Sequence, residues 1–154
     1  MSKAYTAYGL RSGAAIGISS SKEVIEEFDH ALAHSARVNW SNGVHAPQHI
    51  LVDLAKDENI EEYEKELSDL KRMLSDRARV FVGEARRHNL RIIPYFGGFF
   101  AFVPTDRAFE IVEKLEKENI FTIPSAKGIR VAICSANKKD IVKLVERIAY
   151  HMHS

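Results

Sequence analysis

Residues 58–88 carry an apolar row that restricts the fold more than any other stretch of the chain. Ile60, Tyr63, Leu67, Leu70 and Leu74 recur at alternating intervals of three and four, and Ala78, Phe81 and Ala85 continue the row. That spacing places them on one face of an α-helix. A helix over this stretch spans roughly 45 Å at 1.5 Å per residue. An apolar face of that length is either a coiled-coil seam or a surface packed on other elements. The row thins to alanine towards its end, which suits packing across a small sheet better than a seam.

The remaining pattern supplies the sheet. Residues 91–95 and 99–103 read as strands around the Gly97-Gly98 turn, and residues 120–123 and 129–133 as two more, punctuated by Pro124 and Gly128. Thr105 or Asp106 is the expected cap of a helix bearing Phe109, Ile111, Val112 and Leu115. Asn137 is the expected cap of a last helix with Ile141, Leu144, Val145 and Ile148 on one face. Upstream, Ser21 caps a helix holding Val24, Ile25, Phe28 and Leu32. Trp40 to Gly43 interrupts it, Pro47 opens the next helix, and Asp57 caps the long one. Residues 14–18 form a short apolar run consistent with a buried strand. The fold class is α/β of the α+β kind: a small antiparallel or mixed sheet with helices packed on it and one long helix.

Composition narrows the function classes. Hydrophobic residues make up 45% and charged residues 28% of 154, which is globular rather than disordered. The net charge of +1, with both signs interspersed, leaves no footprint for nucleic acid or an anionic membrane. One cysteine, Cys134, excludes an internal disulfide and fits a reducing cytoplasm; its apolar neighbours favour a buried, inert thiol. No signal peptide or membrane-spanning run is visible, so a cytoplasmic location is expected. His45 and His49 are four apart, but Pro47 lies between them and no third ligand stands near, so no metal is expected.

Chemistry concentrates at the start, in residues 2–13. Ser2 precedes Lys3, Arg11 follows eight residues after that lysine, and Gly13 closes the stretch. Small and aromatic residues between them favour a buried setting. A lysine in apolar surroundings loses proton affinity and becomes a nucleophilic amine, while an arginine offers a fork of donors suited to phosphate. An aldehyde and a phosphate on one molecule, as in pyridoxal phosphate, would use both. The same spacing also fits two solvated surface cations.

Three later motifs extend the pattern. Ser2, Lys3, Tyr5, Tyr8, Arg11 and Gly13, then Arg37-Val38-Asn39-Trp40-Ser41-Asn42, then Gly97 to Phe102, then Gly128-Ile129-Arg130-Val131-Ala132 follow one another in order. In this the sequence resembles the class I pyridoxal-phosphate aminotransferases, the aspartate/aromatic branch in particular. The resemblance implies the C-terminal part of the fold-type I transferase fold, with the long helix bridging two domains. It implies that Lys3 binds the cofactor aldehyde and then serves as general base, that Arg11 and Ser2 belong to the cofactor site, and that Arg130 clamps the substrate α-carboxylate. Arg37 would reach the neighbouring subunit's site and pair with the side chain of a dicarboxylic substrate, and Phe100 would line the pocket. Asn42 is followed by Gly43-Val44 where the family usually has two prolines, so the loop beside Arg37 departs from the pattern.

The resemblance also implies a division into 1–21, the tail of a cofactor-binding large domain, 22–57, a helical connection, and 58–154, the small domain. Family members hold the cofactor mainly with a domain preceding the lysine, so an N-terminal half is expected to be missing and the chain inactive alone. The expected partners are an amino acid and a 2-oxo acid. A homodimer is expected from the exposed strand edge of residues 14–18. The alternative is a non-catalytic binding or oligomerisation module that keeps the fold without the chemistry.

Overall fold

Ser21 starts the first helix by the expected device: its side chain accepts the Val24 N–H, and α1 runs Lys22–Asn39. Pro47 lies in the first turn of α2, Ala46–Leu54, where its missing N–H costs nothing. The long apolar row forms α3, Asp57–Arg87, with Asp57 and Glu58 in its first turn and Arg86 and Arg87 in its last, each sign suited to the helix dipole there. The computed structural model describes all residues, 1–154, and divides into two units, Met1–Glu64 and Lys65–Ser154. Helix α3 begins in the first and ends in the second.

In the first unit Pro47 alone is buried. Residues 14–18 are not a strand. They have no regular structure and lie exposed, with Ile16 at 80% and Ile18 at 92%. The physical reason is the absence of a partner: the first unit contains no strand, so these backbone groups have no ladder to join. A 3-10 turn at Tyr8–Leu10 is the one regular feature before α1.

The second unit holds the core. Strand β1 is Phe100–Pro104, α4 is Ala108–Lys117, β2 is Ile123–Ser125, β3 is Gly128–Ala132 and α5 is Lys138–His153. The strands form an antiparallel sheet in the order β1-β3-β2. Ala101, Val103, Ile129 and Val131 turn one face of it towards Ile111 and Leu115 of α4, Ile141 and Ile148 of α5, and Phe81 and Ala85 of α3. The end of the α3 row is therefore sheet-packing surface, not a seam. Phe81 is wholly buried and meets Tyr95 edge-on at 6.0 Å; burying such a ring stabilises by about 1.5–3 kcal/mol. Asn137 caps α5 as expected, its Oδ1 accepting the Asp140 N–H at 2.9 Å.

Several local expectations change. Residues 91–95 make one backbone bond to β1, Ile93 N–H to the Phe102 carbonyl at 3.0 Å, and do not extend the ladder; Pro94 has no N–H to give. β2 begins at Ile123 rather than residue 120, because Asn119 at φ +59° turns the chain back and the Ile120 N–H is spent on the Leu115 carbonyl at the end of α4. Helix α4 is entered from Arg107 without a side-chain cap, and Thr105 instead accepts the Arg107 N–H through its hydroxyl at 3.1 Å. Cys134 is half-buried, and its carbonyl takes a hydrogen bond from Arg77 at 2.7 Å. No helix is long and apolar enough to cross a membrane.

Candidate functional site

The sheet has a second face. Residues alternate along a strand, so the neighbours of the core positions point the other way: Phe100 and Phe102 on β1, Arg130 on β3 and Ile123 on β2. Register places Phe102 opposite Arg130 on one side and Ile123 opposite it on the other. Phe100 lies one diagonal step away, and the Arg130 guanidinium carbon sits 4.8 Å from its ring centroid. An exposed arginine thus stands at the centre of an apolar wall.

The turn before Arg130 holds this register. Gly128 has φ +151°, and a Cβ built there would meet the Val103 carbonyl oxygen at 2.2 Å and the Phe102 ring at 2.7 Å. Only glycine lets the two strands approach here. The Ser125 hydroxyl closes the turn by donating to the Gly128 carbonyl at 2.9 Å.

The N-terminal segment of the first unit gathers a different set. The Lys3 ammonium lies 5.0 Å and the Arg11 guanidinium carbon 4.6 Å from the centroid of one ring, Tyr8. Arg11 also donates to the Tyr8 carbonyl at 3.1 Å, and the chain's ammonium terminus donates to the Ser12 carbonyl at 3.2 Å. The segment is fixed to α3 by Tyr63, which stacks on Tyr5 at 5.6 Å and donates its hydroxyl to the Ala4 carbonyl at 2.9 Å. Desolvation, with Tyr5 adding to it, pushes the Tyr63 phenol above its ordinary pKa. Ser2 is half-buried, whereas Lys3 and Arg11 are exposed. The buried setting expected for Lys3 is absent, since the aromatic residues around it, Tyr5 and Tyr8, are themselves exposed.

Arg37 occupies the last turn of α1, donates to the Ser41 hydroxyl and is exposed. Ser41 has φ +65° and the Gly43 N–H bonds the Asn42 side chain at 3.0 Å, while Gly43 and Val44, where the family usually has two prolines, have no regular structure. Of the six residues singled out by sequence, Lys3, Arg11 and the adjoining Ser2 share one segment, Arg130 and Phe100 share one sheet face, and Arg37 stands on α1.

Residues 1–148 match the sequence profile of aminotransferase class I and II. The chain belongs to that family. An aminotransferase from Anaerococcus prevotii is 65% identical over 100% of this chain, with a TM-score of 0.92. A tetra mutant of the Thermus thermophilus aspartate aminotransferase is 18% identical over 96% of the chain, with a TM-score of 0.76. LysN, an α-aminoadipate aminotransferase from Thermus thermophilus solved with N-(5'-phosphopyridoxyl)-L-leucine, is 14% identical over 86% with a TM-score of 0.63. The last two share the fold. The chain spans 38%, 40% and 36% of the lengths of these three proteins. No curated protein matches it.

Pyridoxal phosphate, the group the family implies, asks for an amine and a phosphate-binding cation. This aminotransferase-family chain gathers both on the Tyr8 ring, and the donor set fits. Sequence reasoning missed Phe102 and Ile123 as neighbours of Arg130. Alternation in Phe100-Ala101-Phe102 and Ile129-Arg130-Val131 carried that signal, but only the register turns it into a contact.

Proposed function

We propose that the chain is the C-terminal portion of a pyridoxal-phosphate-dependent aminotransferase. Its reaction moves an amino group between an amino acid of the aspartate or aromatic type and a 2-oxo acid such as 2-oxoglutarate. The observation that carries this reading is the meeting of Lys3 and Arg11 on one ring. When bound, pyridoxal phosphate supplies an electron sink that stabilises the charge left when the substrate Cα loses its proton. Lys3 holds the cofactor and then carries that proton as a general base. Arg11, with Ser2 beside Lys3, holds the phosphate. Arg130 takes the substrate α-carboxylate in two parallel hydrogen bonds, which fixes the substrate's orientation, and Phe100 walls the pocket. Arg37 pairs with the second carboxylate of a dicarboxylic substrate across a homodimer. The enzyme is cytoplasmic.

Taken alone, the 154 residues do not transaminate at an enzyme's rate. Lys3 and Arg130 each lie on an exposed surface, whereas this chemistry depends on walls that exclude water. The exposed apolar row Val24, Phe28 and Leu32 on α1 favours a second reading, a binding or oligomerisation module. Borohydride reduction with pyridoxal phosphate, followed by peptide mass mapping, separates the two. Selective labelling of Lys3 that disappears in Lys3→Ala supports the aminotransferase reading. Scattered labelling, unchanged in that variant, favours the module.

A further inference from the structure

Arg130 sits where a charged side chain has few polar neighbours. Phe102 flanks it from β1, Ile123 from β2, and Phe100 meets its guanidinium at 4.8 Å. It makes no hydrogen bond and no ion pair within the protein, so its N–H donors are left for a ligand. A long side chain with all donors free samples many rotamers, and ordering it on binding has a cost. The ring removes part of that freedom. A guanidinium is attracted to the face of an aromatic ring, and flat contact fixes the plane of the fork, which an ammonium would not need.

Resting on the carboxylate-binding role proposed above for Arg130, we propose that Phe100 is a positioning residue for that arginine. The ring holds the guanidinium plane ready for both oxygens of a carboxylate, a task beyond walling the pocket. The support beneath is firm. Ala101, Val103, Ile129 and Val131, which alternate with these residues along the two strands, are exposed by 3% or less. The Gly128 turn locks the register that sets Phe100 one diagonal step from Arg130. Phe100 therefore acts through Arg130, on the affinity for a planar carboxylate rather than on the chemistry itself.

The test uses the whole chain with nitrogen-15 label and follows the Arg130 Nε–Hε resonance, first without ligand and then with added 2-oxoglutarate. Stacking displaces that resonance by the ring current of Phe100. Phe100→Leu removes the displacement and weakens 2-oxoglutarate binding roughly two- to fivefold, the scale of an exposed cation–π contact. Phe100→Tyr keeps the ring and restores both. Amide spectra of the three proteins, alike for the core residues, establish that each is folded. If Phe100→Leu leaves the resonance and the affinity where they are, the positioning role is overturned. If Arg130→Lys binds 2-oxoglutarate as well as the parent, the carboxylate role falls and the positioning role falls with it. If Arg130→Lys loses binding while Phe100→Leu does not, only the positioning role falls.

Discussion

One methyl group has opposite effects at two glycines of the second unit. In Gly128→Ala the new Cβ meets the Val103 carbonyl oxygen at 2.2 Å and the Phe102 ring at 2.7 Å, at a φ of +151° that side chains avoid. Phe102 can rotate away, but the Val103 carbonyl belongs to the β1–β3 ladder and cannot move without opening the Pro104–Gly128 pair. Backbone strain of about 1–3 kcal/mol and overpacking of about 1–3 kcal/mol together give a loss of about 2–6 kcal/mol. In Gly83→Ala the Cβ enters open space on α3 and meets nothing within 4 Å. There the change raises helix propensity and stabilises by about 0.5–1 kcal/mol. Urea unfolding of the whole chain, read through the amide signals of Val131 and Ile148, measures both on the same unit. The parent midpoint should lie between the two variants, with Gly128→Ala the lower. For a parent at the low end of the usual domain stability of about 5–15 kcal/mol, a loss at the upper figure leaves that variant unfolded without urea. A Gly128→Ala midpoint equal to or above the parent's refutes the close approach of the turn.

Three further outcomes follow from the same unit. Glu118 accepts from the Arg147 guanidinium through both oxygens and from His151 at 2.8 Å, and these bonds, Arg147 first, hold its carboxyl down to about 2 from an ordinary 4.5. A depressed carboxylate stabilises fully above its unfolded pKa, so this contribution is present at neutral pH and fades as pH falls from about 4.5 towards 2. The urea midpoint of Glu118→Gln should therefore change less than the parent's over that window, and equal slopes would exclude the cluster as a source of acid sensitivity. Phe81→Ala empties a fully buried site under Tyr95 and should lower stability by about 3–5 kcal/mol in the same urea assay. Asn137→Ala removes the acceptor of the Asp140 N–H and should cost about 1 kcal/mol, with faster hydrogen exchange confined to the first turn of α5.

What could be read from sequence divides by the range of the interaction. Ser21, Pro47 and Asn137 act on backbone groups within a few residues, and each stands where its chemistry predicts. The row from Ile60 to Ala85 is likewise local, because one helix determines its period. Residues 14–18 and 91–95 look like strands by composition, yet a strand exists only through its partner. The first run has none in its unit, and the second meets Pro94 after one bond. The start of β2 shifted because the end of α4 claimed the Ile120 N–H first. At the candidate site the order of the motifs singled out Lys3, Arg11 and Arg130. That Lys3 and Arg11 lie over Tyr8, and Arg130 over Phe100, depended on turn geometry and register, which no spacing rule contains.

The alternation of the β1 and β3 side chains separates two kinds of selection. Ala101, Val103, Ile129 and Val131 answer to packing, and a change in any of them is felt by α4 and α5. Phe100, Ile123 and Arg130 project from the other face of the same sheet and are exposed, while Phe102 beside them is half-buried against the Gly128 turn. The three exposed residues can therefore be exchanged at less risk to folding than the core four. Such a sheet is an evolvable wall. Its interior is inherited as a block, and its outer surface is free to acquire new preferences for what it meets.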